Sequence, residues 1–205
     1  MATMPKRTTR NVYGGERQRR VVESVRRATL AELARAGFSG LQIQTVAREA
    51  GVHRTTIYRR WPTKEALLTT LVQPIMERYE SPPETGTLGG DLLAVMGVVC
   101  ENLDSPEGRA ITRVFTSNRS EIAQLAAEVT DGALASFHVP FERARLRGEL
   151  PEEADVEAMV HLAFFGLVNW SLHRNLVPSE ADCARLGRIV LAPVAAHVSL
   201  GPLQG

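Results

Sequence analysis

The 205-residue chain is 44% hydrophobic and 23% charged, with a formal net charge of +1 at pH 7. This excludes a disordered chain, no apolar run approaches the ~20 residues of a membrane helix, and the two cysteines, Cys100 and Cys183, exclude a disulfide framework and fit a reducing cytosol. The near-neutral total hides a division: residues 1–64 carry 14 Lys/Arg against 4 Asp/Glu, net +10, and residues 65–205 carry 10 against 19, net −9. A basic segment that also reads as folded points to a polyanionic partner, with an acidic body left in solvent.

Residues 1–14 lack periodicity and read as a flexible basic arm; no apolar run follows Lys6, Arg7 and Arg10, so no secretory signal is expected and the protein reads as cytoplasmic. A helical pattern begins at Arg17, with Val22, Val25, Thr29, Leu33 and Ala36 on one face, and Gly37 closes it. A short helix follows over 41–50, Gly51 breaks it, and a third runs over 53–61 with Val52, Ile57 and Trp61 inward. Pro62 stops the third helix, and Thr63 caps a fourth. Two short helices joined by "AGV" and followed by a capped long helix predict a helix-turn-helix. Beyond the loop at Ser81–Gly86, helices are predicted near 88–103, 107–117, 120–147, 152–176 and 180–199, the third kinked or divided at Pro140. With no alternating strand pattern and no repeat, the fold class is all-α: an arm over 1–14, a helix-turn-helix domain over 15–64 and a larger helical domain over 65–205.

The stretch "AGVHRTTIYRRWPTKEALLTTL" concentrates cations and aromatics around the third helix. With Val52, Ile57 and Trp61 turned inward, that helix presents Arg54, Thr55, Tyr58 and Arg59 outward. The major groove of DNA admits one α-helix and offers guanine acceptors that Arg engages through two bonds. His53, Arg54, Thr55 and Arg59 are expected at base edges, and Tyr58, Arg60 and Lys64 at phosphates. Thr56, and Gln42 and Thr45 on the second helix, complete the candidate surface. Lys64 also stands at the first turn of the fourth helix, where the dipole favours an anion. The arm with Lys6, Arg7 and Arg10 would reach an adjacent groove.

The segment "GFSGLQIQTVAREAGVHRTTIYRRWPTKEALLTTLV" resembles the DNA-binding domain of the TetR family of transcriptional regulators. That family has a Gly-aromatic pair, a short helix ending in Ala-x-x-Ala-Gly-Val, then Thr-Leu-Tyr-x-x-Phe and Lys-Glu-x-Leu. The matching residues are Gly37, Phe38, Val46, Ala47, Ala50, Gly51, Val52, Thr56, Ile57, Tyr58, Trp61, Lys64 and Glu65. "RGELPEEADVEAMV" also resembles the approach to that family's dimerisation helices. Leu41 stands where the family usually has a capping Thr, His53 where it has Ser, Arg60 where it has His or Tyr, and Trp61 where it has Phe. Ser caps a helix far better than His, so a differently held third helix is expected.

The resemblance implies a homodimer built on the last two long helices, a palindromic operator in double-stranded DNA, and a small-molecule effector that releases it. Two-fold symmetry sets half-sites about 10 bp apart or a multiple of that. "VEAMVHLAFFGLVNWSLH" is apolar nearly all round, so burial on two sides is expected. Candidate effector contacts, chosen as aromatics with a few polar groups near Pro140 and the penultimate helix, are Phe115, Phe137, His138, Phe141, Phe165, Asn169, Trp170 and His173. No Arg or Lys sits inside an apolar run, which favours a neutral, mainly apolar ligand.

Enzyme motifs are missing: the histidines form no H-E-x-x-H pair, neither cysteine lies in C-x-x-C, and there is no phosphate-binding Gly loop and no G-x-S-x-G. No enzyme activity, cofactor, metal or membrane partner is therefore expected. The alternative reading is an architectural DNA-binding protein, or an activator, without small-molecule response.

Overall fold

The computed structural model describes residues 10–117, 120 and 122–197. Among them are nine α-helices, one 3₁₀ turn and no strand, the all-α class the pattern predicts. They group into two compact units, 1–71 and 72–205, the division falling inside the fourth helix. No helix among the described residues is long and apolar enough to cross a membrane.

The first unit begins with α1 (Arg10–Gly40), which starts before the apolar periodicity does; Lys6 and Arg7 lie outside the described residues. Gly37 interrupts α1 at φ 66°, a conformation cheap for glycine alone. After α2 (Ile43–Glu49), Gly51 takes φ 65°, and the amides of Gly51 and Val52 return to the carbonyls of Arg48 and Ala47 at 3.2 and 2.9 Å. This paired closure satisfies two carbonyls that the helix end leaves open and sets the turn into α3 (Arg54–Arg60). His53 nonetheless caps α3 at the position where Ser is usual: its Nδ1 accepts from the Thr55 amide at 3.4 Å and lies 2.9 Å from the Thr55 hydroxyl. Thr63 caps α4 (Lys64–Tyr79), its hydroxyl accepting from the Ala66 amide at 3.1 Å.

Leu41 is buried, so it belongs to the core; the N-cap of α2 is Gln42, whose side chain makes no capping bond. Glu32 on α1 reaches the backbone of Gln42 instead. Its side chain is 3% exposed and accepts two bonds from Arg35, at 2.8 Å each. Hydrogen bonding to Arg35 holds the Glu32 carboxyl below its ordinary value against the opposing effect of burial, with the Arg35 and Arg48 charges and the Gln42 backbone adding to the lowering. Above this clamp, Val46 and Ile57 are fully buried beside Phe38, Leu41 and Trp61.

In the second unit α5 (Leu88–Asp104) contacts α6 (Pro106–Ser117), α7 (Ala123–Leu146), α8 (Val156–Arg174) and α9 (Glu180–Leu191). Leu88, Leu92, Val95 and Met96 on α5 are fully buried. α7 runs unbroken through a buried Pro140. α9 stops short of the expected 199, because Pro193 lacks an amide hydrogen and the chain tightens into a 3₁₀ turn at Ala192–Val194. Asp91 pins the loop before α5: its Oδ1 accepts from the Thr85 hydroxyl at 2.8 Å, with Arg143 and Arg147 at 3.8 and 4.0 Å from Oδ2. The two cysteines, remote in sequence, meet between α5 and α9 with sulfurs 3.6 Å apart, both as free thiols.

Replacing Glu32 by Ala is expected to lower the melting temperature by about 4 °C or more at neutral pH, from the lost charged hydrogen bonds. A carboxyl whose folded pKa is depressed contributes its full stability above the ordinary value of 4.5 and loses it as pH falls through the folded value. The difference between wild type and Glu32→Ala, followed by calorimetry, should therefore shrink below pH 4.5.

Candidate functional site

On α3, Ile57 at 0% and Trp61 at 5% exposure anchor the inner side. His53, Arg54, Thr55, Arg59 and Arg60 are exposed, and Thr56 and Tyr58 are half-buried. The Arg54 guanidinium stands 5.7 Å from the centre of the Tyr58 ring, and Arg60 stands 5.0 Å from the Trp61 ring. These contacts orient the cations without neutralising them. Among the described residues no carboxylate pairs with Arg54, Arg59 or Arg60, whereas Arg20, Arg35 and Arg48 of the same unit each have a Glu partner. Three guanidiniums on one exposed helix, without carboxylate partners among the described residues, give α3 a local positive charge. Gln42, exposed, and Thr45, half-buried, lie on α2.

Lys64 is more committed than its sequence position suggests. Its Nζ donates to the Ser39 and Phe38 carbonyls at 2.7 and 3.4 Å and stands 5.8 Å from the Phe38 ring. It thereby ties the first turn of α4 to the end of α1, leaving one of an ammonium's three donors for another acceptor. Arg17 and Arg20 were not singled out in the sequence reading. Both line a shallow hollow of about 520 Å³ with Ala50, Gly51 and Val52, which brings α1 cations beside the helix-turn-helix turn. Their three-residue spacing on α1 is the signal that could have found them.

The second unit holds a cavity of about 360 Å³. Ile75 and Tyr79 enter its wall from α4, Val99 and Asn102 from α5, and Ile111 and Phe115 from α6. Val129 on α7, with Phe164 and Leu172 on α8, adds to the lining, and no described lining residue carries a charge. Burial pushes the Tyr79 phenol above its ordinary value.

Of the eight residues expected at an effector, Phe115 and Phe165 line this cavity. Phe137 is fully buried and meets Phe164 edge-on at 6.0 Å, a core contact. His138 and Phe141 line a separate depression, where His138 Nε2 is 3.3 Å from Glu157. Asn169 is exposed and donates to the Phe165 carbonyl, Trp170 lies between Arg174 and Arg185 at 4.7 and 5.3 Å, and His173 is exposed. Asn169 and His173 are exposed on α8, Trp170 packs half-buried toward α9, and none of the three lines the cavity. The sequence reading passed over Tyr79 and Asn102, because only tertiary packing brings α4 and α5 to one wall.

Residues 25–71 match the model of bacterial regulatory proteins of the tetR family, and residues 82–201 match the Tetracyclin repressor-like C-terminal domain. The HTH-type transcriptional regulator AqdR of Rhodococcus erythropolis is 30% identical over 149 residues, 72% of each chain. The DNA-binding transcriptional repressor TetR of Mycobacteroides abscessus is 27% identical over 165 residues, 78% of this chain and 85% of its own. In fold the chain is similar to SmeT, the repressor of a Stenotrophomonas maltophilia multidrug efflux pump, in its triclosan complex: TM-score 0.67 at 18% identity, over 88% of this chain and 93% of that one. FadR of Bacillus subtilis in complex with stearoyl-CoA gives 0.62 at 21% identity, over 86% and 99%. Both halves of the chain lead to one conclusion: it belongs to the TetR family of DNA-binding transcriptional regulators, and it is not an enzyme.

Proposed function

We propose that the protein is a cytoplasmic, homodimeric repressor that leaves a palindromic operator when a small apolar effector fills the cavity. The observation that carries the DNA half is the set of unpaired cations on α3. Arg54 and Arg59, with His53 and Thr55, read base edges in the major groove. Tyr58, Arg60 and the third Lys64 donor, joined by Arg17 and Arg20, hold phosphates, and Thr56, Gln42 and Thr45 border them. The N-terminal Lys6 and Arg7, ahead of α1, supply further cations to an adjacent groove.

The dimer reading rests on apolar side chains left in solvent. Leu162 is 62% exposed, Phe165 and Leu172 40% each, and Ile189 66%. The first three fall on one stripe of α8, and Ile189 lies on α9, so a second copy would cover a continuous face. The effector reading rests on the uncharged cavity. Ile75 and Tyr79 in its wall belong to α4, the helix whose first residue, Lys64, is fastened to the end of α1. A ligand that displaces them acts on a helix whose first residues belong to the DNA-binding unit.

Arg54→Ala or Arg59→Ala is expected to cost about 1–3 kcal/mol on the operator and to relax preference at one base position, by fluorescence anisotropy. Equal losses on operator and random DNA would remove base readout from that residue. Lys64→Ala should weaken both DNAs alike and reduce the salt slope by about one unit; an unchanged slope with a lower melting temperature would leave Lys64 as a structural tie only. The pair Leu162→Asp and Ile189→Asp should convert a dimer to a monomer at micromolar concentration in analytical ultracentrifugation. A persistent dimer would place the interface elsewhere.

A further inference from the structure

The chain has two cysteines, 83 positions apart, and their sulfurs stand 3.6 Å from each other between α5 and α9. Both are free thiols in van der Waals contact, about 1.5 Å beyond the length of a covalent S–S bond. Each sits on a helix that is itself held. Cys183 follows directly on the capping box of α9, where the Ser179 hydroxyl accepts from the Asp182 amide at 3.2 Å and donates to its carboxylate at 2.7 Å. The Cys183 amide then donates to the Ser179 carbonyl at 2.9 Å. Cys100 lies one turn past the fully buried Met96 on α5. Cys183 is 3% exposed, whereas Cys100 is half-buried, so a small oxidant meets the pair at Cys100. Cys183 shares the buried stripe of α9 with Gly187 and Val190, away from the exposed Ile189, and so lies off the face proposed to meet a second copy. The bond between the sulfurs lets the pair give up one proton below the ordinary thiol value and holds the second proton above it.

We propose that Cys100 and Cys183 are a modification site, closing into an intramolecular disulfide when hydrogen peroxide reaches them. The thiolate of the pair attacks one peroxide oxygen: an S–O bond forms, the O–O bond breaks, and hydroxide leaves, giving a sulfenic acid. The second sulfur attacks the sulfenic sulfur: the S–S bond forms, the S–O bond breaks, and the second hydroxide leaves. The two thiol protons neutralise the two hydroxides, so two thiols and one peroxide give one disulfide and two waters. Sulfur is oxidised and peroxide is reduced. Under reducing conditions the pair rests as the two thiols seen here. The product fastens α9 to the helix that carries Val99 and Leu103 of the cavity wall, and it closes a long loop in the unfolded chain.

The full-length wild type, reduced and then exposed to hydrogen peroxide, tests this. Titration in denaturant is expected to fall from two thiols per chain to none, with the mass lower by about 2 Da. An unreduced digest should join the peptides of Cys100 and Cys183, and dithiothreitol should reverse the change. The melting temperature should rise by about 5 °C or more on oxidation, and should not rise in Cys100→Ser or Cys183→Ser. Two thiols persisting under peroxide that fully oxidises free glutathione would overturn the site. Disulfides between chains, or oxygen added to separate cysteines, would overturn it equally.

Discussion

Two seven-residue helices cannot hold themselves in water, because forming a first helical turn costs more than so short a run returns. Everything the first unit does depends on α2 and α3 being held from outside. Val46, Ile57 and Trp61 supply the apolar part of that hold, set into a core with Phe38 and Leu41. The polar part comes from neighbours. Glu32 reaches from α1 to the start of α2, the His53 ring caps α3, and Lys64 fastens the next helix to the carbonyls at the end of α1. With so many inward bonds made elsewhere, the guanidiniums of α3 are left without carboxylate partners, which is what a surface for a polyanion requires.

The second unit solves a different problem. It is acidic and helical, and it keeps an uncharged space between α4, α5, α6, α7 and α8 instead of filling it. Close packing is the rule in protein interiors, so a cavity of about 360 Å³ represents apolar contact that the fold forgoes. The proposed effector would supply that contact.

The first unit was largely legible in the sequence, because its signals are local: Gly37 and Gly51 at positions that take positive φ, Pro62 after α3, Thr63 at a cap, and an apolar residue on every inward turn. The His53 cap was visible as an oddity whose resolution needed geometry. Tertiary facts were not legible. Nothing in the chain order announces that Glu32 reaches the backbone of Gln42, that Lys64 bonds Ser39, or that Cys100 and Cys183 touch. The cavity shows the limit most clearly. Aromatic content pointed to Phe115 and Phe165, but it equally drew in Phe137, a core residue, Trp170, which packs toward α9, and His173, which is exposed. Helical periodicity tells buried from exposed; it does not tell a lined space from a filled one.

The central claim is that α3 reads a specific, two-fold symmetric DNA sequence. Selection of bound sequences from a random duplex pool by the wild-type protein, followed by affinities for the winner and a scrambled control across salt concentrations, tests it most directly. The account predicts an enriched palindrome bound about 10³-fold or more above the control. No enriched palindrome, with equal and steeply salt-dependent binding to both DNAs, would contradict it and leave only a non-specific polyanion surface.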